Sequence, residues 1–110
     1  MSNGIIPALD VHKDALSDGD TIGSAIAPTR ACSIRGTIKV SAAVRLQLDV
    51  YDNSEATTAT GYLNDGDALV VDAWTNFAFE ALPEKTYTLK IADAGATVDL
   101  LATEVHGSVL

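Results

Sequence analysis

A chain of 110 residues and 11.5 kDa is the size of one domain, and roughly 65% of the unfolded surface can be buried at this length, enough for one core. A hydrophobic content of 47% excludes a disordered tail, and the single cysteine, Cys32, excludes an intrachain disulfide framework and a cysteine-rich zinc site. Fifteen acidic against seven basic residues give a formal net charge of −8, which argues against nucleic acid and against an anionic membrane surface as partners.

No apolar run approaches the ~20 residues needed to span a bilayer. The start, Met1 to Ile6, has no positive n-region and no long apolar stretch, so no secretory signal is expected. The acidic set comprises eleven Asp and four Glu, with only four Lys. That composition suits solubility in concentrated salt, where screening removes most self-repulsion. A halophilic source is one expectation and an ordinary acidic domain the other. Desalting separates them, since it lowers the melting temperature of a salt-adapted domain.

Residues 1–30 and 31–110 read differently. The first segment holds Pro7, Pro28 and Gly4, Gly19 and Gly23, with scattered Ile. It reads as an extended N-terminal arm with one short strand at Leu9 to Val11. The arm packs on its own domain or on a neighbour, and its removal is expected to abolish assembly but spare folding. Val11 to Leu16 is the best place for a single helical turn, and no window predicts a long helix.

From Ile34 onward period-two alternation dominates. Ile34, Gly36, Ile38 and Val40 share one face, and Val44, Leu46, Leu48 and Val50 another. All are even-numbered across Ser41-Ala42-Ala43, a parity that a two-residue hairpin would break. Two strands joined by an odd-length loop are predicted. A polar loop runs from Asp52 to Gly61, followed by a short strand at Gly61 to Leu63. Asn64-Asp65-Gly66 predicts a tight turn with positive φ. Strands are predicted at Ala68 to Val71, at Trp74 to Ala81 with Phe77, Phe79 and Ala81 on one face, and over Tyr87, Leu89 and Ile91. After a turn at Asp93-Ala94-Gly95, Ala96, Val98, Leu100 and Ala102 alternate with polar residues. Leu101 breaks the alternation and implies a bulge, cover from the arm, or contact with another subunit. About six to eight short strands separated by turns predict an all-β chain, an antiparallel β-sandwich of jelly-roll or immunoglobulin-like order.

Reactive chemistry is sparse. His12 and His106 lie 94 positions apart, outside any nucleophile-elbow pattern, and read as two surface imidazoles. Cys32 reads as a small, partly buried hydrophobe. There is no His-x-His, Cys-x-x-Cys or Gly-rich phosphate loop. No catalytic residue and no cofactor is therefore expected, and the chain reads as a non-enzyme. Asp18-Gly19-Asp20 and Asp65-Gly66-Asp67 repeat a chemistry that calcium favours, so Asp18, Asp20, Asp65 and Asp67 are candidate ligands, with solvated turns as the alternative. Trp74 lies on the opposite parity to Phe77, and Tyr51 points away from the Val44–Val50 face. With Tyr62 and Leu101 they are the candidate interaction residues, as a sugar-stacking platform or interface anchors.

Ser33-Ile34-Arg35-Gly36-Thr37-Ile38, Leu48-Asp49-Val50-Tyr51-Asp52 and Trp74-Thr75-Asn76-Phe77-Ala78-Phe79, followed by Thr86-Tyr87-Thr88-Leu89, resemble the small β-sandwich proteins of tailed-virus particles: head decoration, turret and tail-adaptor proteins. The resemblance spans residues 31–105 and has no diagnostic motif, so no functional residue is carried over. It implies a non-enzymatic, multi-copy homo-oligomer in a virion, partnered by copies of itself and a major capsid or other virion protein. With the acidic composition it points to a virus of halophilic archaea. The other reading is a carbohydrate- or ligand-binding, adhesin-like module using Trp74 with Tyr51 and Tyr62.

Overall fold

In the computed structural model, which describes residues 4–106, seven strands form two antiparallel sheets. In chain order they are β1 (Gly4–Leu16), β2 (Cys32–Val40), β3 (Arg45–Asp52), β4 (Thr57–Tyr62), β5 (Thr75–Ala81), β6 (Lys85–Ala92) and β7 (Ala96–His106). Sheet A has the order β1-β7-β2-β5, and sheet B the order β4-β3-β6.

Residues 17–30 form a strap along the free edge of β6. Ile26 N–H donates to Tyr87 O at 2.7 Å and Tyr87 N–H to Ile26 O at 2.8 Å, while Ile22 N–H donates to Leu89 O at 2.7 Å. Counting the strap as a fourth member of sheet B, the antiparallel pairs nest: β1 with β7, strap with β6, β2 with β5, β3 with β4. That nesting is the jelly-roll order, a long hairpin wrapped into two sheets, and it decides between the two sandwich orders predicted.

The even-numbered residues of β2, β3 and β7 face the core, as their periodicity requires. Ile34, Ile38, Leu46, Val98, Leu100 and Ala102 are all at most 1% exposed. Parity survives Ser41–Ala43 because the chain crosses from sheet A to sheet B there, and an inner face stays inner around the corner. Phe77 and Tyr87 are buried, and Phe79 packs on Tyr87 with ring centroids 5.4 Å apart. Asn64, Asp65 and Gly66 all have positive φ, as their turn chemistry predicts.

Four local expectations change. The short strand near Leu9 is thirteen residues long and runs antiparallel to β7, with register shifts between Pro7 and Leu9 and between Val11 and Asp14. No helical turn forms at Val11 to Leu16; this stretch is strand. Ala68 to Val71 is not a strand: only Leu69 is buried, Val71 makes a single bridge to Val40, and the backbone is held by Leu69 N–H on Val44 O and Asp72 N–H on Val40 O, both at 2.8 Å. The polar stretch after Asn53 becomes strand β4 at Thr57, paired to β3 along its length.

Edge strands expose unpaired backbone groups that invite pairing with other chains. β1 meets this with its two register shifts and with Asp10, His12, Lys13 and Asp14. The strap covers β6. β4 is short and rich in Thr, and carries neither charge nor Pro.

Candidate functional site

The odd residues of β2 and β7 and the even residues of β5 point outward from sheet A. Register sets Arg35 beside Ala78 and Thr103, Thr37 beside Asn76 and Leu101, and Lys39 beside Asp99. Between them lies a groove of about 570 Å³, lined by Arg35, Asn76, Ala78, Leu101 and Thr103 and floored by Gly36 and Phe77. Leu101 faces out here at 48% exposure, without a break in the β2–β7 register. Among the described residues the side chains of Arg35 and Asn76 make no hydrogen bond, and Thr103 donates only to Arg35 O, at 3.4 Å.

Trp74 stands two residues before Asn76 on the same face, 57% exposed, with Lys39 Nζ 6.0 Å from its ring centroid. Beyond it, Lys13, Lys39, Ser41, Asp72, Thr97 and Asp99 line a second hollow of about 190 Å³. From Thr97 to Thr103 this face runs roughly 20 Å at the rise of an extended strand. It offers one indole plane flanked by guanidinium, carboxamide, hydroxyl, ammonium and carboxylate groups.

Tyr51 and Tyr62 lie elsewhere, on the outer face of sheet B, so the structure does not bring them to Trp74. The groups around them are engaged with one another. Arg45 stacks over Tyr62 at 4.0 Å and grips Asp93 through Nε and Nη2 at 2.8 and 3.0 Å. Asp49 accepts from Gln47 Nε2 at 2.9 Å, Thr60 Oγ1 at 2.8 Å and Lys90 Nζ at 2.9 Å. Burial alone would raise the Asp49 carboxyl, but these hydrogen bonds outweigh it and hold the group below its ordinary range. The Ser54 hydroxyl, Lys85 and the Ser54 amide hold Asp52 well below that range, and the Arg45 hydrogen bond lowers Asp93.

These depressed carboxyls set an acid limit. Their ordinary value is 3.8 and their folded values lie lower, so their stabilisation is complete above that value and is lost as pH falls through the folded values. Urea denaturation at about pH 3 is expected to give a lower midpoint than at neutral pH, and Asp49→Asn to narrow the difference. Equal midpoints for the parent chain would refute the effect.

The two Asp-Gly-Asp turns do not come together. Asp18 accepts the Asp93 amide and Asp20 the Ser17 amide, at 2.9 and 2.8 Å, so these carboxylates close turns. Asp65 lies within the 3-10 turn Asn64–Gly66 and Asp67 caps its C-terminal end, on the loop after β4.

The two histidines also stay apart. His12 is exposed and pairs with Asp10 at 2.6 Å. His106 is 3% exposed, against the expectation of a surface imidazole. It sits with Cys32 and Glu104 at one end of the sandwich, on the inner faces of β2 and β7. His106 Nε2 lies 2.9 Å from Glu104 Oε1, Cys32 Sγ 3.9 Å from the same oxygen, and Arg30 Nε donates to His106 Nδ1 at 2.8 Å. Burial pushes the Cys32 thiol up, and Glu104 and Glu80 push it further.

No protein-family model and no curated protein sequence matches the chain. Among solved structures it is similar to the CBM22-1–GH10 modules of Clostridium thermocellum endo-1,4-beta-D-xylanase 10B complexed with xylohexaose, at 8% identity, covering 97% of this chain and 25% of that one, with a TM-score of 0.49. The chain thus spans about a quarter of that chain's length.

Proposed function

We propose that the chain is a non-enzymatic binding module that takes an extended, polar, hydroxyl-rich polymer, a polysaccharide by its chemistry, across the outer face of sheet A. The observation that carries this reading is Trp74, an exposed indole beside a groove whose Arg35 and Asn76 side chains make no hydrogen bond among the described residues. A pyranose ring stacks its C–H face on an aromatic plane, and its hydroxyls need donors and acceptors at the rim. On sheet B the charged groups around Tyr51 and Tyr62 are instead paired with one another, Arg45 with Asp93, Lys90 with Asp49 and Lys85 with Asp52.

The resemblance to virus-particle proteins supports a second reading, a subunit that assembles with copies of itself and a shell protein. Val70 and Val71, 65% and 42% exposed just before Trp74, favour it, because exposed aliphatic residues next to an aromatic anchor suit an interface.

Affinity electrophoresis through gels containing soluble polysaccharides distinguishes the two. The parent chain is expected to be retarded by at least one glycan, and Trp74→Ala to lose at least about tenfold in affinity, the weight of one buried aromatic contact. Retardation unchanged in Trp74→Ala would overturn the assignment of this face. No retardation by any glycan, with a closed oligomer by light scattering, would replace the binding reading with the assembly one.

A further inference from the structure

The inner face of β7 reads Ala96, Val98, Leu100, Ala102, then Glu104 and His106. Its last two positions abandon the apolar pattern while still pointing inward, and Cys32 of β2 joins them. A jelly roll closed only by packing has no use for a thiol, a carboxylate and an imidazole converging at the end of its core, and local rule-breaking of this kind marks functional positions.

We propose that Cys32, Glu104 and His106 form a binding site for a single borderline divalent cation of the zinc type. Sγ, Oε1 and the imidazole nitrogen all lie within 4.8 Å of one another. In a tetrahedral zinc shell, metal–ligand bonds of about 2.0–2.3 Å place neighbouring ligand atoms roughly 3.3–3.6 Å apart. The observed 2.9 Å between His106 and Glu104 and 3.9 Å between Cys32 and Glu104 bracket that spacing, so small side-chain adjustments suffice. The donor set selects the metal: thiolate and imidazole favour zinc or cobalt over calcium or magnesium. One thiolate and one carboxylate neutralise the ion's two charges, which a buried site requires. Three protein ligands leave the fourth position to solvent.

Arg30 controls access to the imidazole. A guanidinium only donates, so His106 Nδ1 must accept and the ring proton sits on Nε2, directed at Glu104. Coordination through Nε2 needs that proton moved to Nδ1, where it meets the Arg30 donor. Binding therefore sends the Cys32 thiol proton to solvent, shifts the imidazole proton from Nε2 to Nδ1, and releases Arg30, whose exposed side chain is free to leave. Arg30 competes with the metal, and its removal should tighten binding. The site is independent of the glycan reading, since it lies inside the sandwich and uses none of the groove residues.

The test is cobalt titration of the chelator-treated full chain. One equivalent of Co²⁺ is expected to bring up a thiolate-to-cobalt charge-transfer band with tetrahedral visible bands, which Zn²⁺ then removes. Cys32→Ser should abolish the charge-transfer band, and Arg30→Gln should lower the dissociation constant severalfold while leaving the fold intact. Asp18→Asn with Asp20→Asn should leave the titration unchanged. Zn²⁺ should also raise the melting temperature of the parent chain, because a ligand that binds only the native state stabilises it. A parent chain with no charge-transfer band, or one whose band persists in Cys32→Ser, overturns the site. Binding no tighter in Arg30→Gln overturns the role of Arg30.

Discussion

Removing residues 1–28 is expected to leave a chain that does not fold under conditions where the full chain is native. Sequence alone suggests the reverse, because the segment lacks sustained periodicity and reads as an arm. In the structure it supplies an edge to both sheets: β1 pairs with β7 over Gly4–Leu16, and the strap pairs with β6. Leu9, Val11, Ile22 and Ile26 are 6, 7, 0 and 4% exposed within the core. Burying each such side chain contributes about 1.5–3 kcal/mol. Four together contribute roughly 6–12 kcal/mol, comparable with the whole stability of a small domain, about 5–15 kcal/mol. Truncation also bares the β6 and β7 edges, so aggregation should accompany the loss. Far-ultraviolet circular dichroism and amide-resolved NMR of the 29–110 chain provide the check. Ile22→Ala in the full chain should cost about 2–5 kcal/mol by itself. A truncated chain that melts cooperatively near the parent midpoint would show the segment to be an accessory after all.

What the sequence makes legible follows from the physics of each element. The even parity from Ile34 to Val50 marks the inner face, because both strands are packed on one side and exposed on the other. β4 is hidden for the opposite reason: an edge strand exposed on every residue carries no alternation to read. β1 is obscured by its own edge protection, since its register shifts and charges interrupt the period over Asp10 to Asp14. Ala68 to Val71 misleads because four small or apolar residues resemble a strand, yet only Leu69 reaches the core. The outward position of Trp74 is legible from parity, but its separation from Tyr51 and Tyr62 is not, because which sheet a strand joins is a matter of topology. The Cys32–Glu104–His106 cluster was in principle readable. Glu104 and His106 continue the inward parity of Ala96 to Ala102 with the wrong chemistry. What sequence lacks is the β2–β7 register that carries Cys32 across 72 positions to meet them.

Gly36→Ala is expected to damage the fold and the groove together. Gly36 takes an inward position of β2, opposite Phe77 on one side and Ala102 on the other. A β-carbon there would lie 2.6 Å from Phe77 Cζ, 2.9 Å from Cε2 and 2.6 Å from the Leu101 carbonyl oxygen. The ring could swing aside at the cost of core packing, but the carbonyl belongs to the neighbouring strand and cannot move without disturbing the ladder. The residue is therefore required for space, because its φ is ordinary and no backbone strain calls for glycine. Overpacking of this kind typically costs about 1–3 kcal/mol, and a shift in the ladder adds to it. At about 4–8 °C per kcal/mol for a domain of this size, the melting temperature should fall by about 4–24 °C. Because Gly36 and Phe77 also floor the groove, glycan affinity should fall in Gly36→Ala even at temperatures where it stays folded. Phe77→Leu removes the ring edge that the new methyl strikes, so the double variant should recover part of the loss, a coupling that additive effects would not produce. A Gly36→Ala chain that melts within a degree or two of the parent would show that the β2–β5 seam has slack, and that glycine is not required there for space.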